Sequence, residues 1–267
     1  AVAAALKEVY AISINSPRST SGRFDFSTFT FIREKNKEYD KEVEEVNHFF
    51  REALAYGKMS AKERNLKLEG IQGLFDGSQT LMIHADGSKE IVESVKFAQR
   101  YGVKKITLLA GTPALDVAKF LADNKIPVIL PPVHRLPSSD DVDVYLTFQL
   151  PALLTKAGVT VALSHQGMLA RARNLPFYAG SAVAHGLSKE QAIQTITLNP
   201  AQALGIADEV GTLEIGKRAT LFVSKGDALD MMSNDVSHAF IDGKEVVLNS
   251  EQQMLFKRYS DKYSPND

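Results

Sequence analysis

The sequence predicts an α/β protein whose central sheet is parallel. Three observations lead there. Between residues 79 and 186, short apolar runs alternate with helical patterns at a spacing of roughly 20–25 residues, the rhythm of βαβ units. The apolar runs are nearly continuous, so both faces of the sheet are covered. Between them lie the capping residues and glycines that start and stop helices. An open doubly wound sheet and part of a (β/α)8 barrel both fit this rhythm.

The first unit opens with "QTLMIHA" (79–85), a strand that ends at His84. Ser88 then stands as an N-cap, Val92, Val95, Phe97 and Ala98 recur at helical spacing, and Gly102 closes the helix. "KKITLLAG" (104–111) is a second strand, and "TPALDVAKFLADNK" (112–125) a helix with Pro113 in its first turn. "IPVILPP" (126–132) is a third strand. The acid-rich start of "SSDDVDVYLTFQLPALLTKAG" (138–158) suits a helix N-terminus, and Pro151 is expected to kink or split that helix. "VTVALS" (159–164) is a fourth strand, with a helix following near 176–186.

The flanks differ. Residues 11–26 are rich in Ser and Arg and are expected to form a loop, with room for one strand around "YAISI". Residues 27–57 are highly charged and helical in pattern. Past residue 210 come short strands, with Gly211 and Gly216 bracketing one and Asp242-Gly243 marking a hairpin. Residues 251–267 suit a terminal helix. The expected domains are 1–60, 61–205, 206–250 and 251–267.

Composition narrows the function. The chain of 267 residues has 31 Lys+Arg against 32 Asp+Glu, so no overall field argues for nucleic acid or an anionic membrane. There is no cysteine, which excludes disulfides and thiolate metal sites and leaves the compartment open. No apolar run has the length of a membrane-spanning helix. No glycine-rich phosphate loop follows any strand, which leaves a nucleotide-binding domain without support.

One segment is specific enough to suggest a family. "TITLNPAQALGIADEVGTLEIGKRATLFVSKGD" (195–227) resembles the C-terminal signature of the amidohydrolase superfamily. "ERNLKLEGI", "IHADG", "NKIPVILPP" and "ARNLPFYAGSAVAHGLS" resemble its imidazolonepropionase-like branch, so the resemblance runs from about residue 60 to about residue 250. Thr220 stands where family members usually have Asp. The resemblance implies the C-terminal half of a (β/α)8 barrel, about four parallel βα units, plus a small β-sandwich-type subdomain.

It also implies chemistry. Amidohydrolases cleave C–N and related bonds with a metal-bound hydroxide, a carboxylate taking the proton. Their pattern is His-x-His on the first barrel strand, Lys or Glu on the fourth, single histidines on the fifth and sixth, and Asp on the eighth. His84 matches the fifth-strand histidine and is the one metal candidate. The sixth-strand position holds Leu109, Ala110 and Gly111, and His165 or Gln166 stands in place of the eighth-strand Asp. His165 is thereby a weak catalytic candidate. His48, His134, His185 and His238 suit structural or solvated roles, and the acids of 140–143 suit a helix start.

A catalytic zinc usually takes three protein ligands and a water. The expectation is therefore a relative that is inactive as this chain, with no cofactor, and with zinc only if the family site is retained. The alternative is an active hydrolase whose remaining ligands come from a missing N-terminal part or another chain. Four strands cannot close a barrel, and open edges invite pairing. A homo-oligomer or a second chain completing the barrel is expected, and the missing Met at residue 1 suits a fragment of a longer protein.

Overall fold

The computed structural model describes residues 11–60, 63–137, 141–166 and 169–263. Strand β1 (Ala11–Asn15) leads into a hairpin, β2 (Thr20–Asp25) and β3 (Thr30–Lys35), then helix α1 (Tyr39–Lys58). Two short helices, α2 (Leu66–Gly70) and α3 (Gly73–Asp76), precede the βα units. These run β4 (Thr80–His84), α4 (Ser88–Arg100), β5 (Ile106–Leu109), α5 (Pro113–Asp116), α6 (Ala118–Asp123), β6 (Val128–Leu130), α7 (Leu146–Lys156) and β7 (Val161–Leu163). Helices α8 (Leu175–Ala184), α9 (Lys189–Gln194) and α10 (Leu198–Leu204) follow. The chain then forms β8 (Leu221–Ser224), β9 (Val236–Ile241), β10 (Lys244–Glu245) and α11 (Glu251–Tyr263).

The main sheet has the order β1-β4-β5-β6-β7, parallel throughout. Side chains alternate across it. Leu81, Ile83, Leu108, Val128 and Val161 are wholly buried against Ile91 and Val95 of α4, Leu121 of α6 and Leu154 of α7. That is the outer, helix-covered face. On the other face, α10 lies across the amino ends of the strands. Thr107 donates its hydroxyl to the Ala203 carbonyl at 2.9 Å, and the Asn199 carboxamide donates to the Val161 carbonyl at 2.7 Å. The carboxyl ends of the same face stay open.

The end of α9, together with α10, also closes an edge. Leu163 N–H donates to the Thr195 carbonyl at 2.9 Å, so β7 finds main-chain and side-chain partners where a neighbouring strand would lie. The far edge of β1 pairs with no described strand.

Several local expectations change. Residues 11–26 are less of a loop than expected: β1 falls where one strand was expected around "YAISI", and a hairpin strand was not foreseen at 20–25. Ile12 and Ile14 pack against the core while Ser13 and Asn15 face out, and residues 20–25 pair with 30–35. The helix expected over 27–57 starts only at Tyr39, because residues 30–35 are consumed by that hairpin. Gly87, not Ser88, caps α4; the Ser88 hydroxyl instead donates to Asp116 at 2.6 Å. Val117 interrupts the helix expected over 112–125. Residues 138–140 lie outside the described residues, and α7 begins later, at Leu146. Pro151 does not split α7, since it sits buried beside Leu150 and Leu154 and its ring fills core space. Residues 211–216 form turns rather than a strand.

Other expectations hold. Asp242 and Gly243 both have positive φ, 52° and 76°, which is the hairpin turn between β9 and β10. Residues 221–245 form one three-stranded antiparallel sheet in the order β10-β9-β8. Among the described residues no helix is long and apolar enough to cross a membrane.

Candidate functional site

A cleft of about 810 Å³ opens at the carboxyl ends of β4, β5, β6 and β7. Its floor follows from the strand period. Ile83 points into the helix-covered core, so His84, the next and last residue of β4, points into the cleft. The His84 carbonyl accepts from Ser16 N–H at 2.8 Å, which ties β1 to this end of the sheet. The His84 ring makes no hydrogen bond among the described residues. His165, just past β7, lines the same cleft, next to Ser164, whose hydroxyl donates to the Leu130 carbonyl at 2.8 Å. The two histidine candidates thus share one cavity.

Three further charged residues line it, none of them evident from the sequence. Asp86 forms an ion pair with Arg18 from the β1–β2 connection. Asp116, in α5, accepts the Ser88 hydroxyl. Arg135 follows the two prolines after β6. Its N–H donates to the Val133 carbonyl at 2.9 Å, and its carbonyl accepts from the Thr147 hydroxyl at 3.4 Å. Its guanidinium lies over Gly111, so close that a Cβ there would stand 2.9 Å from Nη2. Though Arg135 is exposed as a residue, its head is drawn far enough into the wall for desolvation to lower its pKa. An arginine remains charged regardless.

The β2–β3 hairpin is pinned beside this cleft. Ser19 donates its hydroxyl to Glu90 at 2.7 Å, and Tyr39 donates to Glu93 at 2.8 Å. Burial favours the neutral Glu90, but the Ser19 hydroxyl and amide outweigh it and hold the carboxyl below the usual range. Burial and the Glu93 carboxylate push the Tyr39 phenol up to about 12.

The remaining histidines lie elsewhere. His48 is exposed on α1 near Glu52, and His238 lies on β9. His134 and His185 flank Phe148 in an aromatic group on α7 and α8. His134 Nε2 is 2.6 Å from the Ser181 hydroxyl, and burial lowers its pKa.

A metal centre does not fit the side chains gathered here. Among the described residues no three His, Cys, Asp or Glu stand close enough to share an ion. The end of β5 offers Leu109, Ala110 and Gly111, none of which ligates through its side chain, and the Arg135 guanidinium lies over Gly111.

Comparisons with known proteins agree on the lineage. The model of the Amidohydrolase family matches residues 44–246, more than half of the chain. The chain belongs to the amidohydrolase family. An amidohydrolase from Thermotoga maritima is similar at 28% identity and a TM-score of 0.67, over 75% of this chain and 54% of that one. Another amidohydrolase aligns at 18% identity and TM-score 0.52, over 77% and 59% of the two chains. A prolidase solved with N-methylphosphonate-L-proline aligns at 16% and 0.50, over 70% and 50%. The last two likenesses concern the fold alone. The chain spans about half the length of these structures, and five parallel strands of the family barrel are present. Searching curated proteins finds no match. The family is generally metal-dependent and acts on C–N bonds.

Proposed function

We propose that this chain carries an amidohydrolase cleft that binds a small ligand without hydrolysing it. One observation carries the reading. At the ends of β5 and β7, where the family resemblance requires a histidine and an aspartate, the cleft wall is Leu109-Ala110-Gly111 and Ser164-His165-Gln166. Without those groups, and with no three His, Cys, Asp or Glu close enough among the described residues to share an ion, His84 lacks the partners of a catalytic metal site. His84 and His165 then serve as polar walls of a binding cavity.

The second reading is an active hydrolase whose missing ligands come from outside this chain. It is favoured by the partial coverage of the Thermotoga structure and by the unpaired edge of β1, to which further strands from more chain or a second copy could add. Under it, His84 contributes one metal bond.

Elemental analysis of wild type and His84→Ala, with a turnover assay on dipeptides and cyclic amides in added Zn²⁺, separates the two. The binding reading expects no stoichiometric zinc and no turnover. About one equivalent of zinc, lost in the variant, together with amine release, would overturn it.

A further inference from the structure

Arg135 is the one cleft charge that the described chain leaves without an ionic or hydrogen-bonded side-chain partner. The acids around it are answered, Asp86 by Arg18 and Asp116 by Ser88. Its main chain is held on both sides, by Val133 and Thr147, so the side chain starts from a fixed point. Gly111 matters because it has no Cβ. A Cβ there would press on Nη2 from 2.9 Å and make the guanidinium shift. An exposed guanidinium on the cleft wall, with no counter-ion among the described residues, is free to take an anion.

We infer that Arg135 anchors the carboxylate of a small ligand at the end of β5, in the place where the family resemblance expects a metal-binding histidine. The inference deepens the proposed function, and rests on it for the cleft being a binding site. A guanidinium presents two parallel N–H groups that match the two oxygens of a carboxylate. The remainder of the ligand then extends over the sheet ends toward His84 and His165. The cavity volume of about 810 Å³ accommodates an acylated amino acid or dipeptide. Free phosphate offers related oxygen chemistry, so it is a necessary competitor in the test.

The experiment is isothermal titration of the full chain with N-acetylglycine, its neutral amide N-acetylglycinamide, and inorganic phosphate. Wild type is expected to bind the acid saturably and the amide at least about tenfold more weakly. Arg135→Gln is expected to lose about tenfold or more for the acid and little for the amide. Gly111→Ala keeps the charge but moves it, and is expected to weaken the acid as well. Arg135 is exposed and its side chain makes no hydrogen bond or ion pair among the described residues, so unchanged urea unfolding checks that Arg135→Gln still folds. Equal affinities for acid and amide, an unchanged Arg135→Gln, or no saturable acid binding at millimolar probe would each overturn the inference. Phosphate binding as tightly as the acid would overturn the carboxylate assignment. Hydrolysis of N-acetylglycine with added Zn²⁺ would sink the proposed function, yet the charge dependence of binding would still decide the role of Arg135.

Discussion

Asn199 belongs to the Asn-Pro-Ala signature, and the structure gives it a specific job that substitution can test. Its carboxamide donates to the carbonyl of Val161 at 2.7 Å, and Val161 is 0% exposed. Asn199→Ala leaves that acceptor, on a wholly buried strand residue, without its side-chain partner. An abandoned buried acceptor costs about 1–3 kcal/mol. For a chain of this length, a loss of about 2 kcal/mol lowers the thermal midpoint by roughly 4–8 °C. Asn199→Asp sharpens the test, because it keeps the shape and replaces a donor by an acceptor facing another acceptor. Its loss is expected to equal or exceed that of alanine. Urea unfolding followed by circular dichroism reads both variants. Should the alanine lie within about 0.5 kcal/mol of wild type, with the aspartate also near it, the account of α10 closing the β7 edge would be refuted. The Leu163–Thr195 main-chain bond persists in either variant, so no wholesale opening of the edge is expected.

Four other outcomes are expected. Leu108→Ala, in a wholly buried strand position, should cost about 2–5 kcal/mol by denaturant titration, whereas a loss under about 1 kcal/mol would place that side of the sheet outside the core. Gly180→Ala should destabilise by about 1–3 kcal/mol, since a Cβ there overlaps the Leu229 carbonyl, and a neutral result would contradict the packing of α8 on the loop before β9. Glu90 is held below its ordinary pKa of 4.5, so its contribution to stability is present above the unfolded value and fades as pH falls through the lower folded one. NMR titration should therefore show the Glu90 carboxyl rising in Ser19→Ala, and an unmoved curve would remove Ser19 as the cause. Light scattering at micromolar concentration should find the chain as an oligomer that covers the free edge of β1, and a clean monomer would count against that expectation.

Much of the fold was legible because its cause is local. The near-continuous apolar runs around Ile83, Leu108, Val128 and Val161 determined the strands and their burial, since a parallel strand covered on both faces is mostly apolar. The signature at 195–227 pointed to the family, and Asp242-Gly243 to its hairpin, through backbone angles that few residues adopt. His84 was legible because it ends an apolar strand and matches the family's fifth-strand histidine. β1 falls where one strand was expected around "YAISI", but residues 20–35 were misread because the β2 and β3 strands owe little to apolar pattern. The β2–β3 pairing rests on main-chain bonds, and β1 is a strand only because β4 lies beside it.

What the tertiary structure alone decided is which residues meet. Arg135 is one arginine among many in the sequence, and Gly111 one of several glycines after a strand. Neither carries a local signal, because their contact joins the ends of β5 and β6 across two intervening helices. The pairing of Arg18 with Asp86, 68 positions apart, is of the same kind. So is the seat of α10, whose helical pattern predicts a helix but not the face it covers. Periodicity decides what a segment becomes; only closure of the whole sheet brings a glycine, a guanidinium and two histidines around one cleft.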